Sequence, residues 1–206
     1  MNLDVLAKKR GTDKSSEYHN YTPMYEFWLK DRPVANLLEV GFGKGGSARM
    51  WLEYLSLSSI YCIEYADEEF ANKWKNPDVN IKNLNIQIGD STKQETWDKY
   101  QDGFFDILID DGSHDPNDQI KTFFLAFSKV KSGGLYFIED THCNFKEKYG
   151  GKDIIYKWFF DLVIQQQTPG IAVSGDFYNS RQYIEGVAKD ILSYHFYKSV
   201  IVLEHA

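Results

Sequence analysis

Short apolar runs rich in β-branched and aromatic residues recur along the chain: NLLEVGFG (36 to 43), SIYCIEY (59 to 65), NIQIGD (85 to 90), FFDILIDD (104 to 111) and GLYFIED (134 to 140). Between them lie stretches with helical spacing. SARMWLEYL (47 to 55) is one, and DQIKTFFLAFSKV (118 to 130) is another, with Ile120, Phe123, Phe124 and Phe127 on a single face. Strands alternating with helices predict a parallel sheet covered on both faces. The rhythm changes at the end, where DILSYHFYKSVIVLEH (190 to 205) reads as two strands joined near Tyr197 to Ser199. That connection leaves no room for a crossover helix, so the pair must be antiparallel. The expected architecture is therefore α/β, a mostly parallel seven-stranded sheet with helices on both faces and a C-terminal antiparallel hairpin. Residues 1 to 30 are expected to form a helical cap, 152 to 167 a further helix, and 168 to 183 an irregular segment near the mouth of a site. No repeat or linker divides the chain, so residues 1 to 206 are expected to be one domain.

With 206 residues and 43% hydrophobic content, the chain can bury a sizeable core. A net charge of −7 argues against nucleic acid as the main partner, because that affinity rests on Lys and Arg neutralising phosphates. No run of about 20 apolar residues exists, and the start, MNLDVLAKKRGTDK, lacks the apolar region of a signal peptide. The expectation is a soluble cytoplasmic protein without membrane insertion, able to form a homo-oligomer. Cys62 and Cys143 lack metal-type spacing and read as free thiols.

The run LLEVGFGKGGS is a strand emptying into a glycine-rich turn before a helix. Gly41, Gly43 and Gly46 match the dinucleotide fingerprint, whose glycines let backbone approach a ligand closely. The same letters read as E-x-G-x-G-x-G through Glu39, Gly41, Gly43 and Gly45, the first motif of S-adenosylmethionine (SAM) methyltransferases. Glu64 ends the second strand, where a carboxylate can accept from both ribose hydroxyls. NAD enzymes place an acid there too, so Glu64 alone leaves a dehydrogenase open. Asp90 and Ser91, in IGDST, close the third strand; Asp90 resembles the methyltransferase acid that meets the adenine amino group. With the terminal hairpin, these features resemble the Rossmann-like class I methyltransferase fold.

Ligands of doubly wound sheets bind beyond the carboxyl ends of the strands, where strand order reverses. IDDGSH ends the fourth strand and IEDTH the fifth, so their carboxylates should converge. Adjacent strand residues face opposite ways, which assigns Asp110 to the cofactor side and Asp111 to the substrate side. Glu139 and Asp140 lie past their strand, where both can turn toward one point. Three clustered carboxylates repel unless a cation or proton intervenes, and the oxygen-rich set Asp111, Glu139 and Asp140 suits Mg²⁺, or Mn²⁺. His114 follows three residues after Asp111; on spacing alone it is equally a turn residue before Asp115 and Pro116, which look like a helix N-cap and first helical residue.

LLEVGFGKGGS, the GD at 89 to 90, FDILIDDGSH, GGLYFIED and the leading GTDKSSEYHNYTPMYE together resemble the metal-dependent sugar O-methyltransferases of macrolide biosynthesis, the mycinamicin and macrocin type. The resemblance runs from Gly11 to the final hairpin; some members carry a long N-terminal domain besides. It implies a cofactor site of Glu39, Gly41, Gly43, Glu64, Asp90, Ser91 and Asp110 for SAM, a divalent cation on Asp111, Glu139 and Asp140, and His114, with Asp111, in the catalytic role. The implied acceptor is a sugar hydroxyl of a glycan or glycosylated natural product. The alternatives are a catechol-like diol acceptor or a catalytically silent SAM-binding protein. His142 is a candidate to touch substrate, His19 and Tyr21 to fold over the cofactor, and Tyr156 or Trp158 to stack on a sugar ring, while His195 and His205 read as structural or exposed.

Overall fold

A computed structural model describes residues 2 to 65, 81 to 167 and 189 to 206. Its strands are β1 (Asn36–Val40), β2 (Ser59–Glu64), β3 (Leu84–Ile88), β4 (Phe105–Asp110), β5 (Val130–Ile138), β6 (Ile191–Tyr197) and β7 (Val200–His205). Its helices are α1 (Leu3–Arg10), α2 (Thr22–Leu29), α3 (Gly46–Tyr54), α4 (Gln94–Trp97), α5 (Pro116–Ala126) and α6 (Ile154–Gln167). The strands form one seven-stranded sheet in the order β3-β2-β1-β4-β5-β7-β6. β1 to β5 pair parallel, while β7 runs antiparallel to both β5 and β6. Chain order reverses between β1 and β4, so the crevice for a ligand opens there.

Strand alternation divides the core between the two faces of the sheet. Leu37, Ile60, Cys62, Ile107, Ile109, Leu135, Phe137 and Val202 meet the N-terminal cap and α3 on one face, through Leu3, Leu6, Tyr25 and Trp51. Leu38, Val40, Ile63, Leu108, Tyr136 and Ile138 meet α4, α5 and α6 on the other, through Trp97, Phe123, Ile155 and Phe159. Asp115 caps α5 by accepting from the Asn117 backbone N–H at 2.9 Å, and Pro116 opens the helix, as the sequence suggested.

The strands stop earlier than the apolar runs that mark them, because the last residues of each run pass from the ladder into the turn. β5 differs in the other direction and begins at Val130, upstream of two glycines, with a register shift against β4 between Phe105 and Ile107. Gly134 has no room for a side chain there, since a Cβ would lie 2.9 Å from the Asp106 carbonyl oxygen. The segment 168 to 183, expected to be irregular, lies outside the described residues.

Within the cap, Asn2 opens α1 by accepting from the Val5 N–H, and Gly11 ends it at φ 67. The chain then runs through Thr12 to Tyr21 toward the carboxyl ends of the strands and enters α2. Asp4 fastens this passage to α1, accepting from the Ser16 N–H at 2.6 Å, the Ser16 hydroxyl at 2.7 Å and the Thr22 hydroxyl at 3.0 Å. Among the described residues no helix is long and apolar enough to cross a membrane.

Candidate active site at the carboxyl ends of β1, β4 and β5

The parallel ladder continues one residue beyond the strands. The Asp111 N–H donates to the Val40 carbonyl at 3.0 Å, and the Glu139 N–H to the Asp110 carbonyl at 2.9 Å. Asp111 and Glu139 therefore stand side by side. With Glu39, two residues back on β1, they share the sheet face covered by the cap.

The glycine turn is shaped by a close approach. Gly41 has φ 92, and a Cβ there would lie 2.2 Å from the Asp111 carbonyl oxygen, so the two strand-end turns interlock without a side chain between them. Glu64, from the end of β2, accepts through one oxygen from the Phe42 and Gly43 N–H groups at 2.6 and 2.8 Å. Asp90 is fixed in the same way by the Thr92 N–H at 2.8 Å and its hydroxyl at 2.7 Å. Burial would raise its pKa, but these bonds and nearby lysines hold it below the usual carboxylate range. Gly41, Glu64, Asp90, Ser91, Gly112 and Ser113 line one cavity of about 460 Å³, within the size range of small-ligand clefts. Of the residues assigned to the cofactor, Glu39, Gly43 and Asp110 stand outside that lining. Glu39 is fully buried and accepts from the Ser47 hydroxyl at 2.6 Å, bracing the start of α3. Asp110 lies on the face opposite Asp111, as alternation requires, but is buried beneath the turn, and burial pushes its carboxyl up to about 8.

On the other side of Asp111 lies a second grouping. One ligand atom from each of Asp111, His114 and Asp140 falls within 4.8 Å of the others. His114 and Asp140 both adopt left-handed backbone, at φ 59 and φ 55, which turns their side chains back toward the sheet end. The His114 Nε2 is 3.7 Å from Asp140 Oδ2, and its buried Nδ1 has no hydrogen-bond partner among the described residues. Asp140 Oδ1 accepts from the Tyr21 hydroxyl at 2.6 Å. Burial works against the charged form of Asp140, yet Tyr21, His114, His19 and His142 outweigh it and keep its pKa below the usual carboxylate range. His142 lies 4.0 Å from Asp140, and burial lowers its basicity. Two carboxylate oxygens and an imidazole, all partly exposed, fit a divalent cation that keeps open positions.

Glu139, assigned to the same cation, points elsewhere. One oxygen accepts from the Tyr25 hydroxyl and the other from the Lys14 ammonium at 2.7 Å. Lys14 also reaches Asp111 Oδ2 at 2.6 Å and Glu39 Oε1 at 3.3 Å, and its side chain is wholly buried. Burial alone would pull the ammonium down, but the charges of Asp111, Glu139 and Glu39 prevail and hold it well above the ordinary lysine range. Sequence reasoning gave Lys14 and Tyr25 no role. A lysine in the polar stretch GTDKSSE looks solvated, and only its position within the shared motif sets it apart.

His19 and Tyr21, expected over the cofactor, are instead beside the acids. Their rings stack at 5.3 Å, His19 lies 5.7 Å from His142, and both line a separate cavity of about 470 Å³ with Met24, Phe27 and Tyr197. Trp158 packs edge-on against Phe123 and Phe124 as part of the core, whereas the Tyr156 hydroxyl meets that of Thr141 at 2.6 Å. His195 packs on Trp28 and His205 on Phe127, both structural positions.

Residues 38 to 141, from β1 to the acid turn after β5, match the family model described as a methyltransferase domain. Mycinamicin VI 2''-O-methyltransferase of Micromonospora griseorubida is 29% identical over 98% of this chain and 52% of its own length. Demethylmacrocin O-methyltransferase of Streptomyces fradiae is 31% identical over 72% of this chain and 38% of its own. Among solved structures, the MycE methyltransferase of the mycinamycin pathway, in complex with Mg, SAH and mycinamycin VI, superposes with a TM-score of 0.79 at 26% identity, over 100% of this chain and 55% of that one. The chain thus spans about half the length, or less, of the relatives it matches. It belongs to the methyltransferase domain family, and the relatives it is similar to are mycinamicin- and macrocin-type sugar O-methyltransferases.

Proposed function

We propose that this chain transfers a methyl group from SAM to a sugar hydroxyl of a glycosylated small molecule, with a divalent cation, Mg²⁺ or Mn²⁺, at the acid site. The observation that carries this is the placement of two sites on either side of one residue. The cavity lined by Gly41, Glu64, Asp90 and Ser91 opens on one side of the Asp111 turn, and the Asp111, His114 and Asp140 group on the other. Relatives with mycinamicin and macrocin acceptors, and one solved with Mg and SAH, support the same assignment.

In this reading Glu64 and Asp90 bind the ribose and adenine, and the backbone at Gly41 and Gly43 passes close to the amino-acid end, with Glu39 and Asp110 behind them. Asp111 and Asp140 would hold the cation, while Glu139, its oxygens taken by Tyr25 and Lys14, would brace Asp111 through Lys14 from its buried position. The bound cation would supply the positive charge that makes a sugar hydroxyl acidic enough to lose its proton near neutral pH. His114 takes that proton as general base: oxygen ligands already serve a hard cation, which frees the imidazole for the hydroxyl. Asp111 orients the hydroxyl for in-line attack, where position rather than bond-making is what the protein contributes. Cys62 and Cys143, both buried and unpaired, suit a reducing compartment, and we place the protein in the cytoplasm.

A methyl-transfer assay with labelled SAM tests the reading, run over deoxysugars, macrolide glycosides and catechols with and without Mg²⁺. Label in a glycoside, lost in EDTA, is the expected result. Label only in catechols would replace the acceptor, and transfer in excess EDTA would remove the cation.

A further inference from the structure

Lys14 joins elements that are far apart in the chain. It comes from the cap, and its three carboxylate partners come from β1 and from the residues that follow β4 and β5. A fully buried ammonium is costly unless its charge is matched at close range, so the fold keeps Lys14 where it is only because the three acids are there. The dependence runs both ways. Asp111 has two oxygens on a single rotatable carboxyl, and Lys14 holds Oδ2 at 2.6 Å. Fixing one oxygen fixes the plane of the carboxylate, and with it the direction of the oxygen that remains. The same ammonium holds Glu139, whose other oxygen Tyr25 takes, so the anchor point is itself anchored.

We propose that Lys14 is a positioning residue: it holds Asp111 in the orientation that joins His114 and Asp140, and so organises the cation site without touching cation or acceptor. The proposal rests on the reading that a divalent cation binds there. It differs in sign from a simple electrostatic role. A positive charge that merely balanced the acids, or competed with the cation for them, would weaken cation binding, and its removal would tighten it.

The test is Mn²⁺ binding to Lys14→Met, followed by electron paramagnetic resonance without SAM or acceptor, beside S-adenosylhomocysteine affinity by calorimetry. Expected are Mn²⁺ binding at least tenfold weaker than wild type, cofactor affinity within threefold of wild type, and a single cooperative thermal transition. Equal or tighter Mn²⁺ binding by the variant would overturn the role of Lys14 alone. Absence of Mn²⁺ binding by the wild type would overturn the cation reading and this proposal together. Should the variant not fold, the wild-type protein still decides: with ¹⁵N-labelled lysine, the buried Lys14 ammonium should remain protected from solvent exchange after Mg²⁺ is added. Loss of that protection would mean the cation displaces Lys14, contrary to the proposal.

Discussion

The Tyr21 hydroxyl donates to Asp140 Oδ1 at 2.6 Å, joining the N-terminal cap to the acid turn after β5. A hydrogen bond to a charged group is worth about 1.5 to 3 kcal/mol, and this one fixes the carboxylate beside His114. Tyr21→Phe keeps the ring and its stacking on His19 but frees Asp140 to rotate. We expect Mn²⁺ affinity to fall by roughly tenfold to a hundredfold, with cofactor affinity retained, since Tyr21 does not line the cofactor cavity. A calorimetric Mn²⁺ titration matching wild type would show that the bond does not order the site.

Gly41 and Gly43 occupy the same turn under different constraints. Both have positive φ, at 92 and 50, but a Cβ on Gly41 would strike the Asp111 carbonyl while one on Gly43 meets nothing within 4 Å among the described residues. Gly43→Ala should therefore cost only the left-handed strain, about 1 to 2 kcal/mol. Gly41→Ala must also separate the β1 and β4 turns, and should cost on the order of 4 kcal/mol or more, besides displacing Asp111. Urea denaturation of the two variants compares them directly. Equal losses would mean that the turns are not interlocked.

This contrast shows what was legible in the chain. Strand and helix order follow from hydrophobic period, and the alternation of Asp110 and Asp111 follows from strand geometry alone. The turn partners do not. That Gly41 faces the Asp111 carbonyl depends on how β1 and β4 neighbour each other, which no local spacing records. Lys14 is the sharper case. Its burial is created by three acids distant in sequence, so its own neighbours, Asp13 and Ser15, carry no sign of it. Glu139 stands just past its strand, but its orientation is set by Lys14 and Tyr25, which no spacing in the chain links to it.

Asp4 gives the cap a pH dependence. The Ser16 N–H chiefly, with the Ser16 and Thr22 hydroxyls and Lys8, lowers its pKa in the folded protein. A depressed carboxyl stabilises the fold above the unfolded value, about 3.9, and that contribution is lost as pH falls through the folded value. Asp4→Asn should lower Tm by about 2 to 4 °C at pH 7, as expected for about 1 kcal/mol in a chain of this size. The gap from wild type should stay constant down to about pH 5 and close below about pH 4. Thermal melts across that range check it; a gap that widened in acid would contradict the sign.

His114 stands where it could serve as ligand or as base, and the two roles separate cleanly by measurement. Its Nε2 lies 3.7 Å from Asp140 and its Nδ1 is buried without a partner among the described residues, so either nitrogen could be the one that acts. A ligand contributes to holding the cation before any acceptor arrives. A base contributes only when a hydroxyl is there to be deprotonated. With carboxylates enough for a hard cation, His114→Ala should leave Mn²⁺ and S-adenosylhomocysteine affinities near wild type and lower turnover by about 10² to 10⁴, the usual span for loss of a general base. The remaining activity should rise with pH as solvent hydroxide takes over the proton transfer. If Mn²⁺ affinity instead falls together with turnover, His114 is a ligand, and the proton passes to Asp111, to His142 or to water.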